Sequence, residues 1–176
     1  ESTLELSFPT AHVRTDIEAT CRVHLAGSTG EATKIKVEYG NNSATSTVKP
    51  INVSDFYTKA EIDSLTMFAK PVSSGAQKVK LQFISGPQTA NVYLNYVVLN
   101  VPCQLTMTGN AMLITNTSYL GDTPYMRFHL SGATSETQIW RITDGVNIEQ
   151  MPTTMKDGIL TWVGNNTSAE RYMAIN

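Results

Sequence analysis

Apolar and polar residues alternate with a period of two along much of the chain. The clearest case is residues 17–25, where Ile17, Ala19, Cys21, Val23 and Leu25 alternate with Glu18, Thr20, Arg22 and His24. Side chains in a strand point to opposite faces in turn, so this pattern predicts a strand with one buried and one wet face. Residues 33–39 repeat it, with Ile35, Val37 and Tyr39 against Lys34, Lys36 and Glu38, before a turn at Gly40-Asn41-Asn42. Residues 44–48 read as a short polar strand stopped by Pro50. Residues 55–70 fit neither period cleanly; a short turn opened by Asp55 and then a strand from about Ala60 to Phe68 is the expectation. Val79, Leu81 and Phe83 mark a further strand, and Gly86-Pro87 turns the chain. In residues 90–100 both phases are apolar, Val92, Leu94, Tyr96 and Val98 in one and Tyr93, Val97 and Leu99 in the other, which predicts a strand buried on both faces.

Val101-Pro102 reads as the internal boundary. After it come short pieces, CQLTM, AMLIT, YMRFHL, QIWRI, VNIEQ, ILTWV and RYMAI. Turn signals separate them at Gly109-Asn110, Gly121-Asp122, Ser131-Gly132, Asp144-Gly145, Asp157-Gly158 and Gly164-Asn165. Such spacing points to an antiparallel all-β unit. The expected fold is all-β: a jelly-roll-like antiparallel sandwich over residues 1–102, then a small antiparallel β domain over 103–176.

Composition agrees, since Thr, Ser, Asn, Val and Tyr are plentiful and helix formers scarce. Hydrophobic residues make up 41% of the chain, enough for one good core or two small ones. Charged residues make up 16%, the net charge is −2, and Lys and Arg are scattered, so nothing points to a nucleic-acid partner. No apolar run approaches the roughly 20 residues of a membrane helix, and no signal peptide is visible. The first residue, Glu1, suggests a processed or excised piece. Asn-x-Ser/Thr sequons at Asn41, Asn52, Asn116, Asn165 and Asn166 say little in a chain so rich in Asn and Thr.

No nucleophile elbow, phosphate-binding loop or zinc-protease motif is present, and none of His12, His24 and His129 has a ligand-spaced partner, so no metal or cofactor is expected. His24 and His129 read as solvent-facing strand residues. Cys21 and Cys103 lie far apart. They are either a disulfide closing a long loop, worth roughly 4 kcal/mol in an oxidising compartment, or two small buried hydrophobes. Cys21 falls on the apolar side of its strand, an unfavourable setting for a thiolate nucleophile. The two tryptophans could form a sugar-stacking platform, but Trp140 shares a strand face with Ile142 and Trp162 with Leu160, and paired apolar neighbours favour burial. Arg141 then points the other way, toward Asp144 or a neighbouring domain.

The ordered series Leu94–Asn100, Gln104-Leu105, Ser131–Thr134, Ile139-Trp140, Thr143-Asp144, Met151-Pro152, Thr161-Trp162 and Arg171-Tyr172 resembles the N-terminal region of gingipain-like C25-family cysteine peptidases. Within that family it is most similar to the cell-surface sortases of type IX secretion in Bacteroidetes. The likeness runs over residues 92–176, and CRVHLAG resembles a sandwich strand of the same family. Asn95, Arg141 and Gly145 depart from the family pattern, which has Asp, Asp and Pro there.

The resemblance implies a non-catalytic region whose peptidase domain lies C-terminal to it, so no catalytic residue carries over. It implies that Trp140 anchors the small β domain and that Asp144-Gly145 makes a hairpin turn. The implied partners are the downstream peptidase domain of the same chain and other secretion-system or surface proteins, and the implied location is the cell surface. A carbohydrate-binding module or an adhesin-like structural domain is the alternative.

Overall fold

A computed structural model describes residues 2–55, 57–115, 121, 123–143 and 145–176. Fourteen strands follow one another among them: β1 Thr3–Phe8, β2 Ala19–Ser28, β3 Thr33–Tyr39, β4 Asn42–Val48, β5 Glu61–Ala69, β6 Gln77–Ser85, β7 Asn91–Asn100, β8 Ala111–Thr115, β9 Tyr125–Ser131, β10 Gln138–Ile142, β11 Ile148–Gln150, β12 Thr154–Lys156, β13 Ile159–Asn165 and β14 Arg171–Ile175. All their pairings are antiparallel. No helix among the described residues is long and apolar enough to cross a membrane. The chain divides into two compact units, Glu1–Gln104 and Leu105–Asn176.

The first unit is a sandwich of a four-stranded sheet, β1-β6-β3-β4, and a three-stranded sheet, β5-β2-β7. β1 pairs with β6, β2 with β5 and β3 with β4. These are the pairings of one long hairpin wrapped across two sheets, which is the jelly-roll plan. The alternating strands supply the core: Cys21, Val23 and Leu25 of β2, Val37 and Tyr39 of β3, and Val79 and Leu81 of β6 pack together with Val48, Met67 and Ala69. Gln77 and the Tyr39 hydroxyl are buried with them, and both are satisfied. Tyr39 Oη donates to Gln77 Oε1 at 3.2 Å, and Gln77 Nε2 donates to the carbonyls of Ser73 and Gly75 at 2.8 and 2.6 Å. That closure matters, because an unpaired buried polar group costs about 1–3 kcal/mol.

The second unit has a four-stranded sheet, β11-β10-β14-β8, and a three-stranded sheet, β12-β13-β9. Its core joins Ile114, Phe128, Leu130, Ile139, Leu160, Trp162, Tyr172 and Ala174. Asp157 and Gly158 both have positive φ, 50° and 76°, as a two-residue hairpin between β12 and β13 requires. Gly164 is needed for a different reason: a Cβ there would stand 1.9 Å from the Tyr172 hydroxyl, so only glycine lets the buried tyrosine pass.

Three expectations are corrected. The strand at 91–100 is not buried on both faces: Tyr93, Tyr96 and Val98 are exposed. Cys21 and Cys103 are both free, Cys21 buried and Cys103 exposed, so neither the disulfide nor the paired buried hydrophobes describe them. Residues 103–107 form isolated bridges at Cys103 and Thr106 rather than a strand.

Candidate interaction faces

Trp140 does not point into the core. In β10 the fully buried residue is Ile139, and Trp140 and Ile142 lie on the opposite, partly exposed face. The expectation of an inward Trp140 rested on choosing the all-apolar phase of Ile139-Trp140-Arg141-Ile142. The fold takes the other phase, Ile139 and Arg141, because the guanidinium finds partners there. Arg141 Nη1 donates to Glu170 Oε1 at 3.2 Å and Nη2 to Glu149 Oε2. The Tyr172 hydroxyl and the Asn165 amide also donate to Glu170. Burial, and then the Glu170 carboxylate, hold the Tyr172 hydroxyl well above its ordinary pKa. The Glu149 and Glu170 carboxylates raise that of Arg141. Asp144, the expected partner of Arg141 and half of the expected Asp144-Gly145 turn, lies outside the described residues, as does Asn116 of the sequons.

The outer face around Trp140 is built by register. Gln150, Trp140, Met173 and Leu113 stand in one row across the sheet, and Ile148, Ile142, Arg171 and Thr115 in the next. Leu113 and Ile148 are exposed, and Trp140 Nε1 is turned along its own strand to Gln138 Oε1 at 3.2 Å. Trp162, in contrast, is buried against Phe128 and Tyr172 and has no surface to offer.

The two outer faces of the first unit differ in chemistry. The outer face of β1-β6-β3-β4 is charged, with Lys78 against Glu5 at 2.7 Å and both Lys36 and Lys80 against Glu38. Those ammonium groups hold the Glu38 carboxyl below its usual pKa. This is an ordinary solvated surface.

The outer face of β5-β2-β7 carries no such pairs. Its rows, read across the three strands, are Phe68-Thr20-Asn100, Thr66-Arg22-Val98, Ser64-His24-Tyr96 and Ile62-Ala26-Tyr93. Ile62, Phe68, Tyr93, Tyr96 and Val98 are all exposed. The His24 ring stacks on Tyr96 with centroids 4.8 Å apart, and Asn95 Nδ2 lies 3.2 Å from His24 Nδ1.

A bulge makes this face. Leu25 pairs with Leu94 but His24 pairs with Tyr96, leaving Asn95 as an extra residue in β7. Before Asn95 the inward side chains are Val92 and Leu94; after it they are Val97 and Leu99, all packed against the core. The phase change turns Tyr93 and Tyr96 to the same outer side. None of the side chains on this face was singled out for function in the sequence. The available signal was that both phases of 91–100 are apolar around one asparagine, which a phase shift explains as well as double burial does.

Among the described residues, no cluster of three or more His, Cys, Asp or Glu side chains could hold a metal ion. Burial pushes the Cys21 thiol up to about 11, and it raises Cys103 as well, the opposite of an activated nucleophile.

No family model matches the sequence, and no curated protein does. The fold is similar to that in the crystal structure of dimeric latent PorU from Porphyromonas gingivalis, with a TM-score of 0.79 at 15% sequence identity. The match covers 98% of this chain and 17% of that one, so the chain spans about a sixth of the length of the protein it resembles.

Proposed function

We propose that this chain is the non-catalytic N-terminal accessory region of a C25-like cell-surface cysteine peptidase of the sortase kind. In this reading it is exported and supports or docks a downstream peptidase domain during protein secretion and surface attachment. The observation that carries the reading is the fold match along 98% of the chain to only 17% of PorU, since a segment of that size serves inside a longer protein. The ordered residue series over 92–176, arrived at from sequence, supports it independently. On its own the chain hydrolyses no peptide bond. The buried Cys21, with its thiol raised to about 11, suits a core and not a nucleophile.

The test is the reading frame of the parent gene past Asn176. A following domain with a histidine and a later cysteine in peptidase context is expected. A stop codon directly after this segment removes the reading.

A second reading, a carbohydrate-binding or adhesin-like module, is favoured by the exposed rings of Tyr93 and Tyr96. Titration calorimetry with oligosaccharides separates the two. Micromolar binding that is lost in Tyr93→Ala or Tyr96→Ala, with folding intact, would establish the module. The accessory reading expects no heat.

A further inference from the structure

We infer that the outer face of β5-β2-β7 is a docking surface for a separate, folded protein that presents an apolar patch with a carboxylate over Arg22. The composition of the face is that of a protein interface. Aromatic residues and Arg are enriched at such interfaces, while Lys, Glu and Asp are depleted. Phe68, Tyr93, Tyr96 and Arg22 stand in the four rows, and no Lys, Glu or Asp does. The opposite sheet of the same sandwich holds its Lys and Glu in ion pairs, so the difference is not one of general composition. The aliphatic side chains of Ile62 and Val98 flank the rings; they suit a protein surface better than a sugar, whose edges need hydrogen-bond partners.

Charge fixes one property of the occupant. Arg22 is exposed at the centre of the face and no carboxylate shares the rows with it. A second copy of this chain related by a two-fold axis would bring the same acid-free face, whose one formal charge is its own Arg22, and would leave both guanidinium groups without a carboxylate. The partner is therefore a different protein with Asp or Glu at that point, where a guanidinium makes a bidentate bond.

Size fixes another. Four rows on three strands cover on the order of 400 Å² with side chains, from the strand and residue spacings. That is the range of functional patches on monomers. It is about half of the roughly 800 Å² per partner in a standard interface, and polar and apolar side chains contribute in about equal number. Both properties describe a reversible contact between separately folded proteins and not a permanent domain junction. The inference is independent of any polypeptide C-terminal to Asn176.

The experiment places p-benzoylphenylalanine at Tyr93, at Ile62 and, as a control on the charged sheet, at Thr45, in the parent protein in its own cells. Light-induced adducts are mapped by mass spectrometry. Tyr93 and Ile62 are expected to crosslink to one other protein, at an apolar patch containing Asp or Glu, and Thr45 is not. Arg22→Glu is expected to lower the yield about tenfold or more, and reversing the mapped acid to Arg to restore it. Circular dichroism of Arg22→Glu confirms that the exposed substitution leaves the fold intact. No adduct, equal yields from Thr45, adducts to the same polypeptide, to a second copy, to glycan or to lipid, or indifference to Arg22→Glu would each overturn the inference.

Discussion

Trp162 of β13 and Phe128 of β9 face each other as a cross-strand pair, their ring centroids 4.9 Å apart and their planes 8° from parallel. Tyr172 closes the group edge-on to the indole at 5.7 Å. The second unit is small, and these three rings supply much of its buried apolar surface. Trp162→Ala is expected to cost about 3–5 kcal/mol. Trp162→Phe is expected to cost less than half of that. It leaves a smaller void, while both variants remove an indole N–H that is buried without a hydrogen-bond partner among the described residues. Urea unfolding of both variants measures the difference; equal losses would show that the size of the void does not set the cost.

The neighbours Ile139 and Trp140 are expected to behave in opposite ways. Ile139 is completely buried, so Ile139→Ala costs about 2–4 kcal/mol. Trp140 lies on the outer face, and Trp140→Ala costs roughly 1 kcal/mol or less. Fluorescence gives an independent check. In Trp162→Phe the remaining indole, Trp140, emits to the red and is quenched by acrylamide. In Trp140→Phe the remaining Trp162 emits to the blue and is protected.

Period-two alternation made most of the strands legible, because a sandwich buries one face of nearly every strand it contains. β1 and β12 were not anticipated: β1 lies at a sheet edge with Leu4 half exposed, and β12 is three residues long with little apolar contrast. Trp140 was assigned to the wrong side for a physical reason. Hydropathy ranks arginine last for burial, yet Arg141 occupies the inward phase because Glu149 and Glu170 stand where its guanidinium ends. Those acids are 8 and 29 residues away in sequence, and no local pattern announces them. The face of β5-β2-β7 was hidden for a related reason: the one extra residue at Asn95 scrambles the alternation that would have revealed it.

The inward charge cluster yields a further expectation. Glu170 accepts from Arg141, Tyr172 and the Asn165 amide at once. Removing it strands three donors, so Glu170→Ala is expected to destabilise the second unit by about 3 kcal/mol. The double variant Glu170→Ala, Tyr172→Phe loses less than the sum of the single losses, because the phenylalanine leaves no hydroxyl unpaired. Additive losses in a double-mutant cycle would mean the hydroxyl and carboxylate are not coupled.

Cys21 predicts a pH dependence for the first unit. Burial moves its thiol from the ordinary 9.0 to about 11. The folded form therefore stays protonated after the unfolded chain has ionised. The stability it carries is complete below pH 9 and is lost as pH rises toward 11, by on the order of 2 kcal/mol. Tyr39, raised to about 12 by burial, adds a loss that begins near its ordinary 10.0. Chemical denaturation between pH 8 and 10 should show a decline in the native chain that is flattened in Cys21→Ala. An unchanged slope in that variant would assign the decline elsewhere. In native buffer, a thiol reagent should modify Cys103 alone, with Cys21 reacting only on unfolding.

Deleting Asn95 tests the bulge directly. Without the extra residue the strand alternates regularly, because Asn95 is the one residue of β7 with no partner on β2. With pairing to β2 kept from Asn91 to Leu94, Tyr96 follows Leu94 directly and still stands opposite His24, so Tyr96 and Val98 stay outward and Val97 and Leu99 stay against Val23 and Cys21. The core contacts are unchanged, so the deletion is expected to cost about 1 kcal/mol or less, for the lost amide contact to His24 and the straightened strand. Asn95→Ala keeps the residue count and with it the bulge, and loses only the amide contact to His24, so it is expected to cost under about 1 kcal/mol. Thermal unfolding of the two variants side by side checks this: similar melting temperatures are expected, and a loss of many degrees confined to the deletion would mean that the bulge itself holds the sheet together.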